Sequence, residues 1–427
     1  MELHFGGIIG LIVLLGIGFA MSSDHKRIPW RIVIGGVALQ FLLVVLFLKV
    51  PATTVVFEKI AAVATRILQF SNAGAEYIFG QELFTNKAVG FVFAIHVLPT
   101  IIFFASFMSI LYHIGLMQRV VGAMSWVMNR TMGVSGAESL AMAANVFVGQ
   151  TEAPLVVRPY VSSMTRSELM TLMTGGFATI AGGVFAAYVS MLGGDDAQSK
   201  IEFARHLLMA SVMSAPAAFV MAKLMIPETE VSKTSGKINQ KFERTTINVL
   251  DAATTGASDG LRLAANVGAM LLALIALVSG VDYVLGWIGE SSMIHPMLAK
   301  CGIESLSLQS ILGLLFSPLA WAMGVESGDI RAVGSLLGQK ICLTEFIAYD
   351  SLSKNLHSLE PMQHRSGIIA TYALCGFANF GSIAIQLGGI GGIAPDRRKD
   401  LAKLGFRAMI GGAMASFMTA TIAGIVL

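Results

Sequence analysis

A ten-residue stretch gathers polar side chains within an otherwise apolar part of the chain. It runs from Asn145 to Pro154, and its hydrogen-bonding or charged members are Asn145, Gln150, Thr151 and Glu152. An ionisable side chain at membrane depth costs roughly 2.5 kcal/mol or more at the bilayer centre, so it marks a functional site by default. Gly149 and Pro154 indicate a broken helix, which membranes tolerate only where the backbone lines a cavity or is buried in protein. We interpret the stretch as the tip of a re-entrant hairpin that holds a polar ligand.

Composition indicates that the whole chain is a membrane protein. Of its 427 residues, 55% are hydrophobic and 13% are charged, whereas soluble domains carry about 25% charged residues. The three cysteines have no paired spacing that would indicate a disulfide framework or a metal site. No zinc-ligand or nucleophile-triad spacing appears, which disfavours an enzyme. We therefore expect a polytopic protein surrounded by membrane lipid, with no nucleic-acid partner.

Apolar segments of the length needed to cross a bilayer, about 20 residues, predict eight spanning helices. These are Leu3–Met21, Ile32–Val50, Phe91–Leu116, Leu169–Leu192, His206–Met225, Leu261–Ile288, Ile368–Ile390 and Leu401–Val426. Met117–Met132 is less apolar and is typical of a helix lying at the interface. Residues 134–163 and 334–354 each offer two arms too short to span alone, which predicts re-entrant hairpins. The expected fold class is all-α polytopic, with eight transmembrane helices and two re-entrant helical hairpins.

The remaining segments have mixed polarity. Residues 52–90 contain an amphipathic stretch at Phe57–Leu68, which we expect to be followed by a polar loop. Pro227–Thr246 is charged and is expected to be a flexible linker. The basic loop at 393–407 should face the cytoplasm by the positive-inside rule. With eight spans, both termini then lie on the outer side of the membrane.

Two parts of the chain share an order of short motifs, which predicts an internal repeat. The first part has Thr151-Glu152, then Arg166-Ser167, then Gly176-Phe177-Ala178, and the second part has Thr344-Glu345, then Arg365-Ser366, then Gly376-Phe377-Ala378. With eight spans, the two hairpins enter the membrane from opposite sides. Such inverted repeats place the substrate site of many transporters near the midplane. Chance matching of short strings is the alternative explanation.

The polar residues of the two parts suggest complementary roles toward a solute. Gln150, Thr151 and Glu152 come from the first tip, and Glu345, Asn379 and Ser382 come from the second part. An amide both donates and accepts, which suits the edge of a nucleobase or an amide, whereas a carboxylate suits vicinal hydroxyls. Phe377 could stack on a ring. The alternatives are that these groups cap backbone or fill the core, or that the glutamates form ion pairs, with Arg158 or Lys340 as partners.

A second set of oxygens fits a cation. Asn145 and Thr179 offer neutral side-chain oxygens, and the broken helices expose carbonyls such as those of Val148 and Ile180. Unwound carbonyls and the ends of half-helices coordinate sodium in transporters. His96 is the alternative, as a proton carrier, because its pKa lies near physiological pH in ordinary surroundings. The residues alone therefore leave sodium and proton coupling open.

Two long motifs carry a family resemblance. Residues 149–156 have the sequence GQTEAPLV, residues 373–379 have ALCGFAN, and residues 382–385 have SIAI. Together they resemble the concentrative nucleoside transporters, and the similarity continues to the ATIAG at residues 420–424. The chain is similar to the short bacterial members of that family, which have eight spans and two re-entrant hairpins.

The resemblance implies roles for individual residues. The nucleobase would be met by Gln150, Thr151, Glu152 and Val184. The ribose would be held by Glu345, Asn379 and Ser382, with Phe377 lining the pocket. The sodium site would consist of Asn145, Val148, Thr179 and Ile180. Thr179 stands where the family pattern leads us to expect serine, so its extra methyl group could alter ion affinity.

The resemblance also implies an assembly and a mechanism. Such proteins are homotrimers in which a transport domain moves as an elevator against a scaffold. The scaffold would comprise residues 1–133 and 261–333, and the transport domain 134–225 and 334–427, joined by a cytoplasmic linker and an amphipathic segment at 226–260. We expect a sodium-coupled symporter that imports nucleosides such as uridine across a bacterial inner membrane, with both termini periplasmic. Some bacterial relatives couple to protons, so a proton-coupled nucleoside symporter is the alternative.

Overall fold

A computed structural model of the protein describes residues 6–85, 92–194, 196–234, 246–291, 298 and 305–427. In these ranges the regular structure is helical. The helices are α1 (Gly6–Ala20), α2 (Trp30–Lys49), α3 (Pro51–Phe79), α4 (Gln81–Thr85), α5 (Phe93–His96), α6 (Leu98–His113), α7 (Leu116–Met132), α8 (Gly136–Asn145), α9 (Ala153–Val156), α10 (Arg158–Val161), α11 (Arg166–Ala178), α12 (Gly182–Gly193), α13 (Ala197–Met225), α14 (Val249–Gly289), α15 (Leu308–Ala322), α16 (Ile330–Cys342), α17 (Glu345–Leu356), α18 (His364–Leu374), α19 (Phe380–Ile393) and α20 (Arg398–Val426).

Helices long and apolar enough to cross a membrane agree with most of the predicted spans. By length and composition, the described residues contain six such stretches, namely Trp30–Lys49, Phe93–His113, Arg166–Gly193, Ala197–Met225, Val249–Gly289 and Pro395–Val426. The first predicted span appears as the shorter α1, and its residues 3–5 lie outside the described ranges. The seventh predicted span is divided between α18 and α19. Most of the predicted linker, residues 235–245, also lies outside the described ranges.

The prediction of a polar loop after Leu68 is wrong as far as Phe79. Instead α3 continues as one helix of 29 residues. One face of the helix forms a buried stripe at Ala61, Thr65, Leu68, Ser71 and Ala75, and the Ser71 hydroxyl donates to the Leu68 carbonyl at 2.7 Å. Tertiary packing of one face therefore stabilises a helix that the polarity of the sequence did not favour.

The two motif-bearing parts of the chain have the same order of elements. In the first, a hairpin (α8 with α9 and α10) is followed by a broken helix (α11 and α12) and the 29-residue α13. In the second, a hairpin (α16 and α17) is followed by a broken helix (α18 and α19) and the 29-residue α20. We call these the first and second repeats. The agreement supports the predicted internal repeat over chance matching of motifs.

The two broken helices cross in the interior, and glycines allow the contact. Gly376 has a φ of +133°, and a Cβ there would lie 2.6 Å from the carbonyl oxygen of Phe177. A Cβ on Gly412 of α20 would lie 2.3 Å from the Cβ of Phe177. Ser416, one turn further along α20, donates to the Cys375 carbonyl at 2.6 Å. The crossing brings both helix breaks, and the residues that flank them, to one place.

The start of α13 shows how an exposed helix end is stabilised outside the membrane segments. The carboxylate of Asp196 accepts the backbone N–H of Ser199 at 2.7 Å, which is the usual arrangement of a helix N-cap. This hydrogen bond lowers the pKa of Asp196 below its ordinary value. The helix therefore begins well before the predicted span at His206.

Candidate substrate and ion site

The tip of the first hairpin is irregular backbone fastened to the neighbouring helices. A capping box formed by Ser135 and Glu138 starts α8, and residues 146–152 separate its end from α9. The N–H of Gly182 donates to the Phe147 carbonyl at 3.0 Å, and the Ser211 hydroxyl donates to the Val146 carbonyl at 2.8 Å. These bonds satisfy main-chain groups that would otherwise be costly to bury. The tip is thus anchored to α12 and α13.

The tip of the second hairpin is a tight turn at residues 343–344. Thr344 caps α17 by accepting the N–H of Ile347 at 3.4 Å, and Glu345 is the first helical residue. A carboxylate in the first turn interacts favourably with the positive end of the helix dipole. Glu345 nevertheless has an exposed fraction of only 2%, so it also needs hydrogen-bond donors.

Glu345 obtains those donors from two different helices. The Tyr188 hydroxyl of α12 donates to Oε1 at 3.1 Å, and the Asn379 amide donates to Oε2 at 2.9 Å. None of the ion pairs among the described residues includes Glu345. Lys340, its expected partner, donates instead to the Ala373 carbonyl at 2.7 Å. The ion-pair alternative therefore fails for this glutamate. Its carboxylate is held by neutral donors that a hydroxylated ligand can replace or join.

A single hydrogen-bonded network connects both hairpins and both broken helices. The oxygen of Asn379 caps α19 by accepting the Ser382 N–H at 2.9 Å. The Ser382 hydroxyl accepts from Nε2 of Gln150 at 3.2 Å. The oxygen of Gln150 then accepts from Gln386 at 3.0 Å. The substrate network, as we call it, therefore consists of Tyr188, Glu345, Asn379, Ser382, Gln150 and Gln386.

Four of the predicted substrate residues lie around this network without a described hydrogen bond to it. Phe377 is half-buried in the break of the seventh span, where its carbonyl accepts the Asn379 N–H at 2.9 Å. Thr151 is half-buried beside α19, and a Cβ on Gly389 would lie 3.1 Å from its methyl group. Val184 is buried in the first turn of α12, whereas Glu152 is exposed.

The predicted cation residues meet at the end of α11. Asn145 is fully buried, and neither its amide oxygen nor its amide nitrogen has a hydrogen-bond partner in the described residues. A Cβ on Gly175 would lie 3.1 Å from that amide nitrogen, and the Thr179 hydroxyl donates to the Gly175 carbonyl at 2.9 Å. Asn145 and Thr179 therefore flank the same backbone group. An unpartnered buried amide oxygen is costly, and a bound cation would satisfy it.

The surrounding backbone favours positive charge at this place. Helix α8 ends at Asn145 and helix α11 ends at Ala178, so the negative ends of two helix dipoles meet here. Val148 lies in the tip of the first hairpin, and Ile180 lies in the break between α11 and α12. Neither residue is helical, so their carbonyls are not part of the regular hydrogen-bond pattern of a helix. Neutral side-chain oxygens and unwound carbonyls are the ligands by which transporters hold sodium. The donor set fits a sodium ion better than a transition metal.

His96, the alternative coupling residue, is the last residue of α5 and makes contacts with the backbone that precedes this helix. Its Nδ1 lies 2.9 Å from the carbonyl oxygen of Val92 and 3.2 Å from the backbone nitrogen of the same residue. This arrangement ties the ring to its own turn of backbone. The substrate network does not include it.

Tyr188 and Gln386 belong to the network but were not predicted from the sequence. Gln386 is the one polar side chain in the apolar run Ile383–Ile393, which is a usable signal. Tyr188 stacks on Tyr349 with ring centroids 4.2 Å apart, and its sequence context resembles that of an ordinary core residue. Its role became visible only from its bond to Glu345.

Three protein-family models together match most of the chain. Models described as the N-terminus and the C-terminus of Na+-dependent nucleoside transporters match residues 9–82 and 206–424. A model described as nucleoside recognition matches residues 94–195. The chain belongs to the family of Na+-dependent nucleoside transporters. Members of this family are transporters and not enzymes, and sodium is their coupling ion.

Individual relatives agree along nearly the full length of the chain. An uncharacterized transporter of Haemophilus influenzae is 42% identical over 98% of this chain and 96% of its own length. Sodium/nucleoside cotransporter 1 of Rattus norvegicus is 40% identical over 99% of this chain, but the match covers only 63% of the rat protein. The rat solute carrier family 28 member 3 is 43% identical, and there the chain spans 58% of the relative.

Solved structures confirm the fold class as that of an all-α membrane transporter. The structure of CNTnw in an inward-facing substrate-bound state is 40% identical, with a TM-score of 0.89 over 99% of this chain and 97% of that one. A variant of CNTnw in an outward-facing state has a TM-score of 0.88 over 99% of this chain and 97% of that one. Transporters with this fold thus adopt alternating-access states.

Proposed function

We propose that this protein is a sodium-coupled symporter that imports nucleosides, uridine among them, across a bacterial inner membrane. The observation that carries the proposal is the substrate network. It joins both hairpin tips to both broken helices, and it combines a buried carboxylate with three amides. Such a set can exchange the hydration shell of a ribose and a base for hydrogen bonds to protein.

In the proposed binding mode, Glu345, Asn379 and Ser382 hold the ribose. Gln150, Thr151, Glu152 and Val184 meet the nucleobase, and Phe377 lines the pocket between them. Because Glu345 Oε2 already accepts from Asn379 at 2.9 Å, and the Ser382 hydroxyl from Gln150 at 3.2 Å, substrate must enter by opening or sharing these bonds. Binding then reorganises the contacts of each hairpin tip with the second broken helix rather than filling an inert cavity.

Sodium in this proposal organises the first tip. The ion is held by Asn145, Thr179 and the carbonyls of Val148 and Ile180. It gives the buried amide oxygen of Asn145 the partner that this atom otherwise lacks. Because Gln150 follows Val148 on the same irregular segment, fixing the carbonyl also fixes the amide that meets the base. A monovalent cation moving inward gains about 2.3 kcal/mol per 100 mV, which supports about fiftyfold accumulation of solute.

For the moving parts we propose a homotrimer working by an elevator mechanism. Residues 134–225 and 334–427 form the transport domain, residues 1–133 and 261–333 the scaffold, and residues 226–260 the cytoplasmic linker. The two repeats are inserted with inverted topology, and both termini are periplasmic. The end of the linker range already belongs to α14 and packs on α6 of the scaffold, since a Cβ on Gly256 or Gly260 would lie within 2.8 Å of α6 atoms.

Radiolabelled uridine uptake into proteoliposomes, under inward sodium or inward proton gradients imposed separately, tests the proposal. We expect accumulation under the sodium gradient alone. Uptake driven by protons alone would contradict sodium coupling and would transfer the ion role to a titrating group, with Glu152 examined first. Failure of all nucleosides under both gradients would contradict the proposed substrate class.

A further inference from the structure

Gln386 is a buried amide in the substrate network, and its orientation can be deduced. It has no exposed surface, and its Nε2 lies 3.1 Å from the Met173 carbonyl oxygen. A main-chain carbonyl only accepts hydrogen bonds, so the atom that faces it must be the amide nitrogen. Turning the amide over would place two oxygens against each other. A main-chain atom of α11 therefore determines the orientation of Gln386.

The orientation of Gln386 in turn determines that of Gln150. The same Nε2 lies 3.0 Å from Oε1 of Gln150, so Gln150 must present its oxygen to Gln386. Its nitrogen then faces Ser382, whose hydroxyl lies 3.2 Å away. Both N–H groups of Gln386 are used, one on each oxygen. Gln386 is thus a positioning residue for an amide that we place against the nucleobase.

The glycine of the first Gly-Phe-Ala motif makes room for this pair. A Cβ on Gly176 would lie 2.7 Å from Nε2 of Gln386 and 2.9 Å from Cβ of Gln150. Any larger residue would separate the two amides. Helix α11 therefore contributes both the carbonyl that orients Gln386 and the space in which the two amides meet.

We infer that Gln386 makes the base subsite a hydrogen-bond donor and thereby selects nucleosides that carry a carbonyl oxygen rather than an amino group. With its oxygen turned to Gln386, Gln150 keeps one free N–H for the substrate. The Ser382 hydroxyl accepts the other N–H of Gln150 and remains a ribose contact in the proposed binding mode. A base edge with an oxo acceptor satisfies the free N–H of Gln150, whereas an amino group brings donor against donor. The inference rests on the proposed function.

Two matched substrate pairs test this selection, because the members of each pair differ only in an oxo or amino group and in the protonation of the adjacent ring nitrogen. The pairs are uridine against cytidine and inosine against adenosine. We expect kcat/KM in proteoliposomes to favour the oxo member of each pair by about tenfold, the usual effect of one mismatched hydrogen bond. In Gln386→Met, which has no amide to orient Gln150, the ratio should fall to within about threefold of unity. A loss of total activity alone would not change this ratio.

Two further variants keep the test decisive. Gln339→Met is the matched control, since Gln339 is a buried amide that bonds to Ser335 and Ser351, and its ratio should equal that of the wild type. If Gln386→Met does not fold, Gln150→Glu provides the test. A carboxylate still accepts from Gln386 but has no N–H for the base, so the preference should move toward the amino nucleosides.

The outcomes separate the inference from the proposed function. A wild type that prefers amino nucleosides, or a folded Gln386→Met with an unchanged ratio, would overturn the inference and leave nucleoside transport intact. An unchanged ratio in Gln150→Glu would do the same. If the wild type transports none of the four nucleosides under either gradient, the proposed function itself fails and the inference falls with it.

Discussion

The first repeat makes its hairpin tip from the irregular residues 146–152, whereas the second repeat turns within residues 343–344. The long tip leaves carbonyls outside any helical ladder, including that of Val148, and these are available to a cation. The short tip places Glu345 directly in the first turn of α17, where two donors hold it. The same architectural unit thus presents backbone oxygens in one repeat and a side-chain carboxylate in the other.

The two broken helices also differ in the group that lies at the negative end of their first half. Asn145, the last residue of α8, lies beside the end of α11. Its amide is buried without a hydrogen-bond partner among the described residues. Near the end of α18, the amino group of Lys340 donates to the Ala373 carbonyl at 2.7 Å and lies 5.4 Å from the ring centroid of Phe417. Both helix ends are negative dipole ends that favour a positive group. In the proposed function a sodium ion supplies that group at the first break, whereas Lys340 of the chain itself supplies it at the second.

The largest expected effect comes from Glu345→Gln. The new amide can no longer accept from both Tyr188 and Asn379, and it leaves a buried donor facing another donor. We expect uridine uptake to fall by on the order of 100-fold or more, while the protein keeps the elution volume of the wild type in size-exclusion chromatography. Wild-type-like transport by a folded Glu345→Gln protein would remove Glu345 from the substrate site.

Lys340→Met tests whether the second repeat uses a nitrogen of the chain in place of an ion. The Ala373 carbonyl would lose its donor in the interior, and we expect uptake to fall roughly 10- to 100-fold. The sodium concentration for half-maximal uptake should stay within about twofold of wild type, because the first repeat is unchanged. Lys340→Arg, which keeps donors, serves as the comparison. A large change in sodium dependence would refute the contrast between the repeats.

Asn145→Ala tests the first repeat, in which we propose that a sodium ion supplies the positive group. Losing one neutral oxygen ligand should raise the half-maximal sodium concentration about tenfold, or about 1.4 kcal/mol. Saturating sodium should restore most of the uptake. The matched control is Ser139→Ala on the same helix, whose hydroxyl pairs with Ser125 at 3.0 Å. Sodium titrations that superimpose for Asn145→Ala and wild type would exclude Asn145 from the ion site.

The smallest expected effect is that of Glu152→Gln, at the position of the first repeat that corresponds to Glu345. Glu152 is exposed, whereas Glu345 is buried, and an exposed carboxylate contributes less than a desolvated one. We expect the KM for uridine to rise about threefold, a small free-energy change, with sodium dependence unaltered. If Glu152→Gln were as damaging as Glu345→Gln, the two tips would not differ as described.

Local patterns of the sequence predicted the hairpins and the helix breaks because polar residues are rare and costly in an apolar chain. The run from Asn145 to Pro154 and the motif around Glu345 could be read without a structure. The extent of α3 could not, since its polar second half is stabilised by packing of a narrow stripe. The ion pair between Glu345 and Lys340 was a reasonable alternative by spacing, and only the fold directs Lys340 to Ala373 instead.

The sequence by itself determined the class of the protein, the order of elements in each repeat and most of the polar residues at the site. These follow from composition and from short-range rules of helix formation and breakage, which act within a few residues. Tertiary structure alone decided which polar groups meet. The bond of Tyr188 to Glu345 joins residues 157 positions apart, and that of Gln386 to Gln150 joins residues 236 apart. Such partners depend on how the broken helices cross at Gly376, a contact that no local pattern encodes.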